Sequence, residues 1–169
     1  LPILLKAGEL IKKEYPKAEF IIPAASTNMI KMIFSMIGDF RPKAIVGQTH
    51  EILARSDLAI CTSGTINLEA SLLGIPNIMV YKLSPLTYFI GKHILKVDKK
   101  LPYFSMPNYL LNQPVVPELV MKNANPEKIA AESIAILNNQ TKQAQMKAAF
   151  KVLKNSLGSP GVVAQAAKA

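Results

Sequence analysis

Apolar residues along the first half of this chain follow two patterns that alternate with each other. Stretches with an apolar residue every third or fourth position predict helices, because such residues line one helix face. Short uninterrupted apolar runs, bounded by polar or breaking residues, predict buried strands. The predicted helices in this half are 3–14, 27–37, 48–55 and 65–73. The predicted strands are 18–22, 43–46, 57–61 and 77–81.

Strands that alternate with helices in this way pair in parallel through right-handed crossovers. We therefore expect an α/β fold with a doubly wound, Rossmann-like parallel sheet. Ligands of such sheets bind outside the carboxyl ends of the strands. The turns at 23–27, 47–49, 62–65 and 82–85 are therefore where a binding site is expected.

The second half predicts an amphipathic helix at 85–95, an irregular segment at 101–107 and helices at 126–137 and 141–154. A break at 158–160 precedes a last helix that runs to Ala169. The stretch 88–100 combines an apolar face with Lys92, Lys96, Lys99 and Lys100, so it is either an ordinary packing helix with a solvated face or a helix that rests on an anionic membrane. The helices in 141–169 are expected to pack on another part of the protein or on a second subunit, as in a homodimer.

Composition limits the function classes. The chain has 169 residues, half of them hydrophobic, which indicates one ordered domain, and no run of about 18 apolar residues predicts a membrane span. The net charge of +9 favours anionic partners, namely nucleic acid, anionic lipid or phosphorylated substrates. Because no nucleic-acid motif occurs, no nucleic acid is expected as a partner. The single cysteine, Cys61, is expected to be a buried small residue in a reducing cytoplasm.

The segment 56–70 carries the best candidate chemistry. It predicts a buried strand, a turn of Ser63, Gly64 and Thr65, and then a helix, whose free N–H groups favour an anion. Glu69 lies about one helical turn beyond Thr65, where it can accept hydrogen bonds from sugar hydroxyls. This combination suggests a nucleotide-sugar pocket. The competing interpretation is a plain strand-to-helix turn with a capping threonine and a solvent-facing acid.

Several short motifs follow this segment in a fixed order. They are Gly74-Ile75-Pro76, Val80-Tyr81-Lys82, Pro85-Leu86-Thr87, Pro107-Asn108 and Val116-Pro117-Glu118-Leu119. Together with Ser63-Gly64-Thr65 and Leu68-Glu69-Ala70, this ordered set resembles lipid-A-disaccharide synthase over nearly the whole chain. That family is similar to the two-domain glycosyltransferases with the GT-B fold. The resemblance implies that residues 1–169 form the C-terminal, nucleotide-sugar donor-binding domain.

The resemblance also implies roles for individual residues. The turn of Ser63, Gly64 and Thr65 would lie near the donor diphosphate, and Glu69 near the ribose hydroxyls. Asn108 matches a position expected in the active cleft and is the catalytic candidate. Its position after a proline-rich loop is also typical of a turn or helix-cap residue. The remaining donor-binding candidates are Tyr81 and Lys82 after the fourth strand, and Val46 and Gly47, where related enzymes present backbone groups to the base.

The implied reaction transfers a diacylated glucosamine from UDP to a lipid-linked glucosamine phosphate, with no metal or other cofactor. The family's first strand, with its glycine-serine-arginine turn, is expected before Leu1, and a separate N-terminal half is expected to bind the acceptor. The location expected is the cytoplasm, with peripheral contact at the inner membrane. Two alternatives stay open: another UDP-sugar enzyme of the GT-B or epimerase type, and a non-catalytic nucleotide-binding or membrane-surface module.

Overall fold

The computed structural model describes residues 1–38, 40–62, 64–82 and 102–158. Ser63, the predicted helix at 85–95 with the lysines that follow it, and the last predicted helix lie outside the described residues. The strands are β1 (Ile21–Ala24), β2 (Lys43–Val46), β3 (Ala59–Thr62), β4 (Asn77–Tyr81) and β5 (Glu118–Val120). The helices are α1 (Pro2–Glu14), α2 (Thr27–Met36), α3 (Thr49–Ala54), α4 (Thr65–Leu72), α5 (Met106–Leu111), α6 (Pro126–Leu137) and α7 (Gln140–Ser156), with a short 3-10 turn at Met121–Asn123.

All strand pairs in the described residues are parallel. β1 pairs with β2, and a separate three-stranded sheet has the order β3-β4-β5. Helices connect the strands in sequence, so the prediction of an α/β fold with parallel, Rossmann-like topology is confirmed. No ladder joins the two sheets within the described residues, so β1 and β3 each have one unpaired edge there.

The first strand differs from its prediction. The apolar run predicted a strand at 18–22, and the observed strand is Ile21–Ala24, which contains Pro23. The sequence analysis placed Pro23 in a turn, because proline cannot donate a backbone hydrogen bond to a neighbouring strand. Because β1 pairs on one side only, a missing N–H is tolerated on its other side, as is usual at sheet edges.

The fifth strand was not predicted. β5 is three residues long and follows two prolines, so it has neither the length nor the apolar run of the other strands. It pairs with β4 through Met79–Glu118, Val80–Leu119 and Tyr81–Val120. This pairing makes β4 the central strand of its sheet and explains why Asn77–Val80 are all buried.

The main core lies around β4. Ile78 and Met79 are completely buried and contact apolar residues of three helices, namely Ala7 of α1, Ile129 and Ile136 of α6, and Phe150 of α7. A second, smaller cluster fills the space between α3, β3 and α4, with Leu53, Ala59, Cys61 and Ala70. The three-stranded sheet is therefore covered by helices and can hold its carboxyl edge in a fixed shape.

Candidate functional site

The register of β3 against β4 brings two of the predicted segments together. Thr62, the last residue of β3, lies opposite Val80, so the turn after β3 is next to Tyr81 and Lys82 at the end of β4. Tyr81 is half-buried and Lys82 is exposed. The structure therefore gathers these candidate residues at one carboxyl edge, where doubly wound folds bind ligands.

Gly64 has a backbone conformation that only glycine adopts readily. Its φ is 116° and its ψ is −157°, a region essentially closed to residues with a Cβ. A Cβ built on Gly64 would meet no atom of the described residues within 4 Å. Among those residues the need for glycine is therefore conformational and not steric, and Gly64 itself is exposed.

Helix α4 begins directly after this turn. Gly64 is its N-cap residue and Thr65 its first residue, and no side chain in the described part of the chain caps it. Its first turn also carries no acidic residue. The N–H groups of this first turn and the positive end of the helix dipole therefore point to the carboxyl edge, and the turn itself contributes no anion there.

Glu69 is half-buried in the same helix, so it is not the fully solvent-facing acid of the competing interpretation. It lies close enough to Cys61 of β3 for its charge to act on the thiol. Burial, followed by the charge of Glu69, raises the pKa of Cys61 to about 12. Cys61 is 4 % exposed, which confirms the prediction of a buried small residue.

Val46 and Gly47 lie at the carboxyl end of β2, in the other sheet. Gly47 and Gln48 both have left-handed backbones, with φ of 66° and 56°, and Val46 and Gly47 are both exposed. This turn leads into α3, and two of its backbone groups are used within the fold: Gly47 N donates to Ala24 O, and Gln48 O accepts from Ile52 N, both at 2.9 Å. It lies at the same type of edge as the Gly64 turn, although no strand ladder connects the two sheets in the described residues.

Asn108 is buried within the chain, with 1 % of its surface exposed. Its side-chain amide donates to Val116 O at 2.7 Å and to Glu118 Oε1 at 2.8 Å, and its Oδ1 accepts from Val116 N at 2.7 Å. Both amide hydrogens are therefore used inside the fold. The predicted catalytic role of Asn108 stays a prediction, whereas its contacts show that it clamps α5 to the start of β5.

Glu118 is a residue of this region to which the sequence analysis gave no role. Its two carboxylate oxygens accept from the backbone N–H groups of Phe104 and Ser105, each at 3.0 Å, besides the Asn108 amide. Ser105 in turn caps α5 by accepting from Asn108 N. The sequence signal for Glu118 was the ordered set of motifs. Pro107-Asn108 and Pro117-Glu118 lie ten residues apart in it, and Asn108 and Glu118 are hydrogen-bonded to each other in the structure.

A buried polar network below α4 was also missed. Asn77 donates to Ile75 O and Ser71 Oγ, at 2.9 Å and 3.0 Å, and accepts from Asn67 at 2.6 Å. The Ile75 carbonyl can only accept, so it fixes the orientation of the Asn77 amide and hence that of Asn67. Asn67 Oδ1 is left buried without a donor among the described residues.

The described residues show no group of three or more His, Cys, Asp or Glu side chains able to hold a metal ion. None of the described helices has the length and apolar character needed to cross a bilayer.

Comparisons with known proteins agree on one family. The sequence model for lipid-A-disaccharide synthetase matches residues 1–166. The lipid-A-disaccharide synthase of Gloeothece citriformis is 35% identical over 170 residues, which is 99% of this chain and 44% of that protein. The synthase of Acinetobacter baylyi is 36% identical over 166 residues, or 91% of this chain and 41% of that protein. The chain thus spans less than half the length of these curated relatives, and it belongs to the lipid-A-disaccharide synthetase family.

Proposed function

We propose that this chain is the donor-binding part of a glycosyltransferase that makes the lipid A disaccharide. In this proposal a diacylated glucosamine passes from UDP to a lipid-linked glucosamine phosphate, and UDP leaves. The observation that carries the proposal is the Gly64 turn, which is exposed at the carboxyl end of β3 and leads into a helix that no side chain of the described residues caps. Membership of the family supports the choice of a UDP-sugar among anionic ligands.

The turn would hold the diphosphate of the donor. Backbone N–H groups at the start of α4 would donate to phosphate oxygens, and the open space at Gly64 would let them approach closely. The exposed Lys82, at the neighbouring strand end, would add a positive charge. Both groups would stabilise the charge that develops on UDP as it departs, which is an electrostatic contribution to catalysis.

The remaining candidates would orient the donor. The Glu69 carboxylate would accept from the ribose hydroxyls, and Val46 and Gly47 would offer backbone groups to the base. Because the amide hydrogens of Asn108 are donated to Val116 and Glu118, we assign it a positioning role. It would fix the region between α5 and β5 beside the site.

The rest of the protein would complete the cleft. The relatives are more than twice as long as the matched region, which leaves room for an acceptor-binding half and a general base. The unpaired edges of β1 and β3 leave space for a further parallel strand between the two sheets, which would find no N–H donor at Pro23 of β1. Such a strand would join the Gly47 and Gly64 turns into one carboxyl edge.

Titration of the full-length protein with UDP by calorimetry tests the donor site. Replacing Glu69 with alanine removes charge-assisted hydrogen bonds to the ribose, so UDP affinity is expected to fall about tenfold to a hundredfold. Glu14→Ala is the matched control, because Glu14 is an exposed acid at the end of α1 and its loss is expected to leave UDP affinity unchanged.

Equal UDP affinity in the Glu69 variant and the parent would contradict the donor-site assignment. The reaction is tested separately by supplying the acylated UDP-sugar together with the lipid-linked acceptor. Release of UDP that depends on both substrates supports the synthase. UDP binding without disaccharide formation would instead support another UDP-sugar enzyme.

A further inference from the structure

A basic groove lies at the amino end of the two-stranded sheet, opposite the Gly47 turn. It is bounded by one face of α1, by the segment 18–20 before β1 and by the segment 38–43 before β2, and its volume is about 830 Å³. Lys43 N donates to Phe20 O at the amino ends of the two strands, whereas Gly47 follows the carboxyl end of β2. The groove is therefore distinct from the proposed donor site. Its volume is in the range usual for small-molecule sites, about 300–1,000 Å³.

Positive charge dominates the lining of this groove. Five cations line it against two carboxylates; the cations are Lys6, Lys12, Lys13, Arg41 and Lys43. Each carboxylate is in an ion pair with one cation, Glu9 with Lys6 at 2.7 Å and Glu19 with Lys43 at 3.0 Å. Asp39 lies outside the described residues, and one further carboxylate would still leave the lining positive. The groove therefore attracts anions.

Cations stand on both sides of the groove. Lys13 belongs to α1 and Arg41 to the segment before β2; both are exposed, and neither forms an ion pair within the described residues. A guanidinium can donate two parallel hydrogen bonds to one phosphate, and an ammonium adds a point charge. The Lys12 ammonium donates to Ala18 O at 2.6 Å, which holds a third positive charge beside them. A phosphate group in the groove would thus meet positive charge from α1 and from the sheet.

Two aromatic rings line the same groove. Phe20 and Phe40 meet edge to face with ring centroids 5.0 Å apart, and the Lys12 ammonium lies 6.0 Å from the Phe20 centroid. Gly8 of α1 leaves space for Phe40, since a Cβ there would come within 2.6 Å of the ring. Both rings are half-buried, so part of each remains accessible. Accessible rings beside cations are suited to a flat base that carries phosphates, because the base can stack while the phosphates pair.

We propose that the basic groove binds a nucleoside polyphosphate, as a second ligand site separate from the donor site. The phosphates would lie between Lys13 and Arg41, and the base would pack on the accessible part of Phe20. A bare phosphate would use only the cations, and an apolar ligand would use only the rings. The volume of the groove favours a single nucleotide over a nucleic-acid strand, whose binding groove continues along several nucleotides. The proposal does not depend on donor binding at the carboxyl edge.

Calorimetric titration of the full-length protein with ATP tests this site. Divalent cations are left out, so that the phosphates keep their full charge. Lys13→Gln/Arg41→Gln is expected to weaken ATP binding about tenfold to a hundredfold, because it removes charge-assisted hydrogen bonds to phosphate. Both side chains are exposed, so the variant is expected to keep the parental circular dichroism spectrum. Arg41→Gln alone serves if the double variant is unstable.

The matched control is Lys147→Gln/Lys151→Gln, which removes the same charge from two exposed positions of α7 and is expected to retain the ATP affinity of the parent. Phe20→Leu tests the ring. It is expected to weaken ATP binding about tenfold and to leave the affinity for inorganic tripolyphosphate unchanged, since only ATP has a base to stack. Unchanged tripolyphosphate binding also shows that the groove of this variant is folded.

Three outcomes would overturn the proposal. They are equal ATP affinity in the groove variant and the α7 control, equal losses of ATP and tripolyphosphate in Phe20→Leu, and tighter binding of a short RNA oligonucleotide than of ATP. Glu69→Ala separates the two sites, because it is expected to weaken UDP binding and to leave ATP binding unchanged. If ATP binding instead fell in Glu69→Ala and not in the groove variant, ATP would occupy the donor site and the groove would hold no nucleotide.

Discussion

Replacing Asn108 with alanine removes three hydrogen bonds from a buried part of the fold. The side chain is 1 % exposed, and so is Val116, whose backbone N–H and C=O are both bonded to it. After the substitution these two peptide groups remain buried without partners. Glu118 is affected less, because each of its oxygens keeps a backbone N–H donor.

The expected loss follows from these groups. A buried polar group left unsatisfied costs about 1–3 kcal/mol, so the two groups of Val116 together cost about 2–6 kcal/mol. Losing the contact with Glu118 adds to this, whereas partial entry of water into the space left by the side chain reduces it. We therefore expect the free energy of unfolding to fall by about 3–5 kcal/mol, a large part of the total of about 5–15 kcal/mol usual for a domain.

Urea unfolding of the 169-residue chain, followed by far-ultraviolet circular dichroism, measures this loss. The matched control is Asn155→Ala, which makes the same chemical change at an exposed position in α7 and is expected to alter stability by less than about 0.5 kcal/mol. The dependence on urea is expected to keep the parental slope, so that the shift in midpoint reports stability alone.

A double-mutant cycle with Glu118→Gln tests the physical reason. Asn108 and Glu118 are bonded directly, so their substitutions are expected to be non-additive by about 0.5–3 kcal/mol. If Asn108→Ala costs no more than Asn155→Ala, or if the two substitutions add without coupling, the clamp does not stabilise the fold as argued.

Three further predictions concern residues around the candidate site. In the same unfolding assay, Gly64→Ala is expected to cost about 2–3 kcal/mol, because alanine hardly adopts the backbone conformation of Gly64. Gly47→Ala is expected to cost about 1 kcal/mol, because the Gly47 backbone is left-handed, which alanine adopts at a smaller cost. Equal costs would refute this reasoning. Between pH 9 and about 12 the unfolded chain loses the Cys61 proton while the folded chain keeps it. The free energy of unfolding is therefore expected to fall more steeply with rising pH in the parent than in Cys61→Ala, and parallel pH profiles of the two proteins would contradict this. Asn77→Ala is expected to destabilise by at least about 1 kcal/mol more than Asn67→Ala. Asn77 has three hydrogen-bonded partners, whereas the side-chain oxygen of Asn67 has no donor among the described residues.

The elements that the sequence predicted best are those with strong local signals. β2, β4 and α6 were predicted with the bounds observed, because each has a clear apolar run or stripe and a distinct start or stop. β5 was missed because three half-buried residues after two prolines carry little local signal. Its position depends on pairing with β4 and on the bonds from Asn108 and Glu118, which are contacts between segments far apart in sequence.

The sequence predicted where along the chain the candidate site lies. The register of β3 against β4 was needed to show which of its residues are neighbours. Alternation of strands and helices selected four turns at the carboxyl ends of parallel strands, which share an edge. The small residues of the Gly64 turn and the resemblance to a family then singled out that turn and Tyr81. The motif order drew attention to Asn108 and Glu118 but not to their mutual bond. A motif marks residues that belong together, whereas burial decides whether a polar side chain faces a ligand or the chain itself.

That distinction separates the two classes of polar residue at this site. Lys82 is exposed at the carboxyl edge, so its charge is available to a donor, and changing it is expected to affect binding before stability. Asn108 and Glu118 have backbone or side-chain partners within the fold, so changing them is expected to affect stability first. A loss of activity in an Asn108 variant therefore supports a catalytic role only if it exceeds the loss of folded protein. Measuring UDP affinity and unfolding on the same variant separates the two effects.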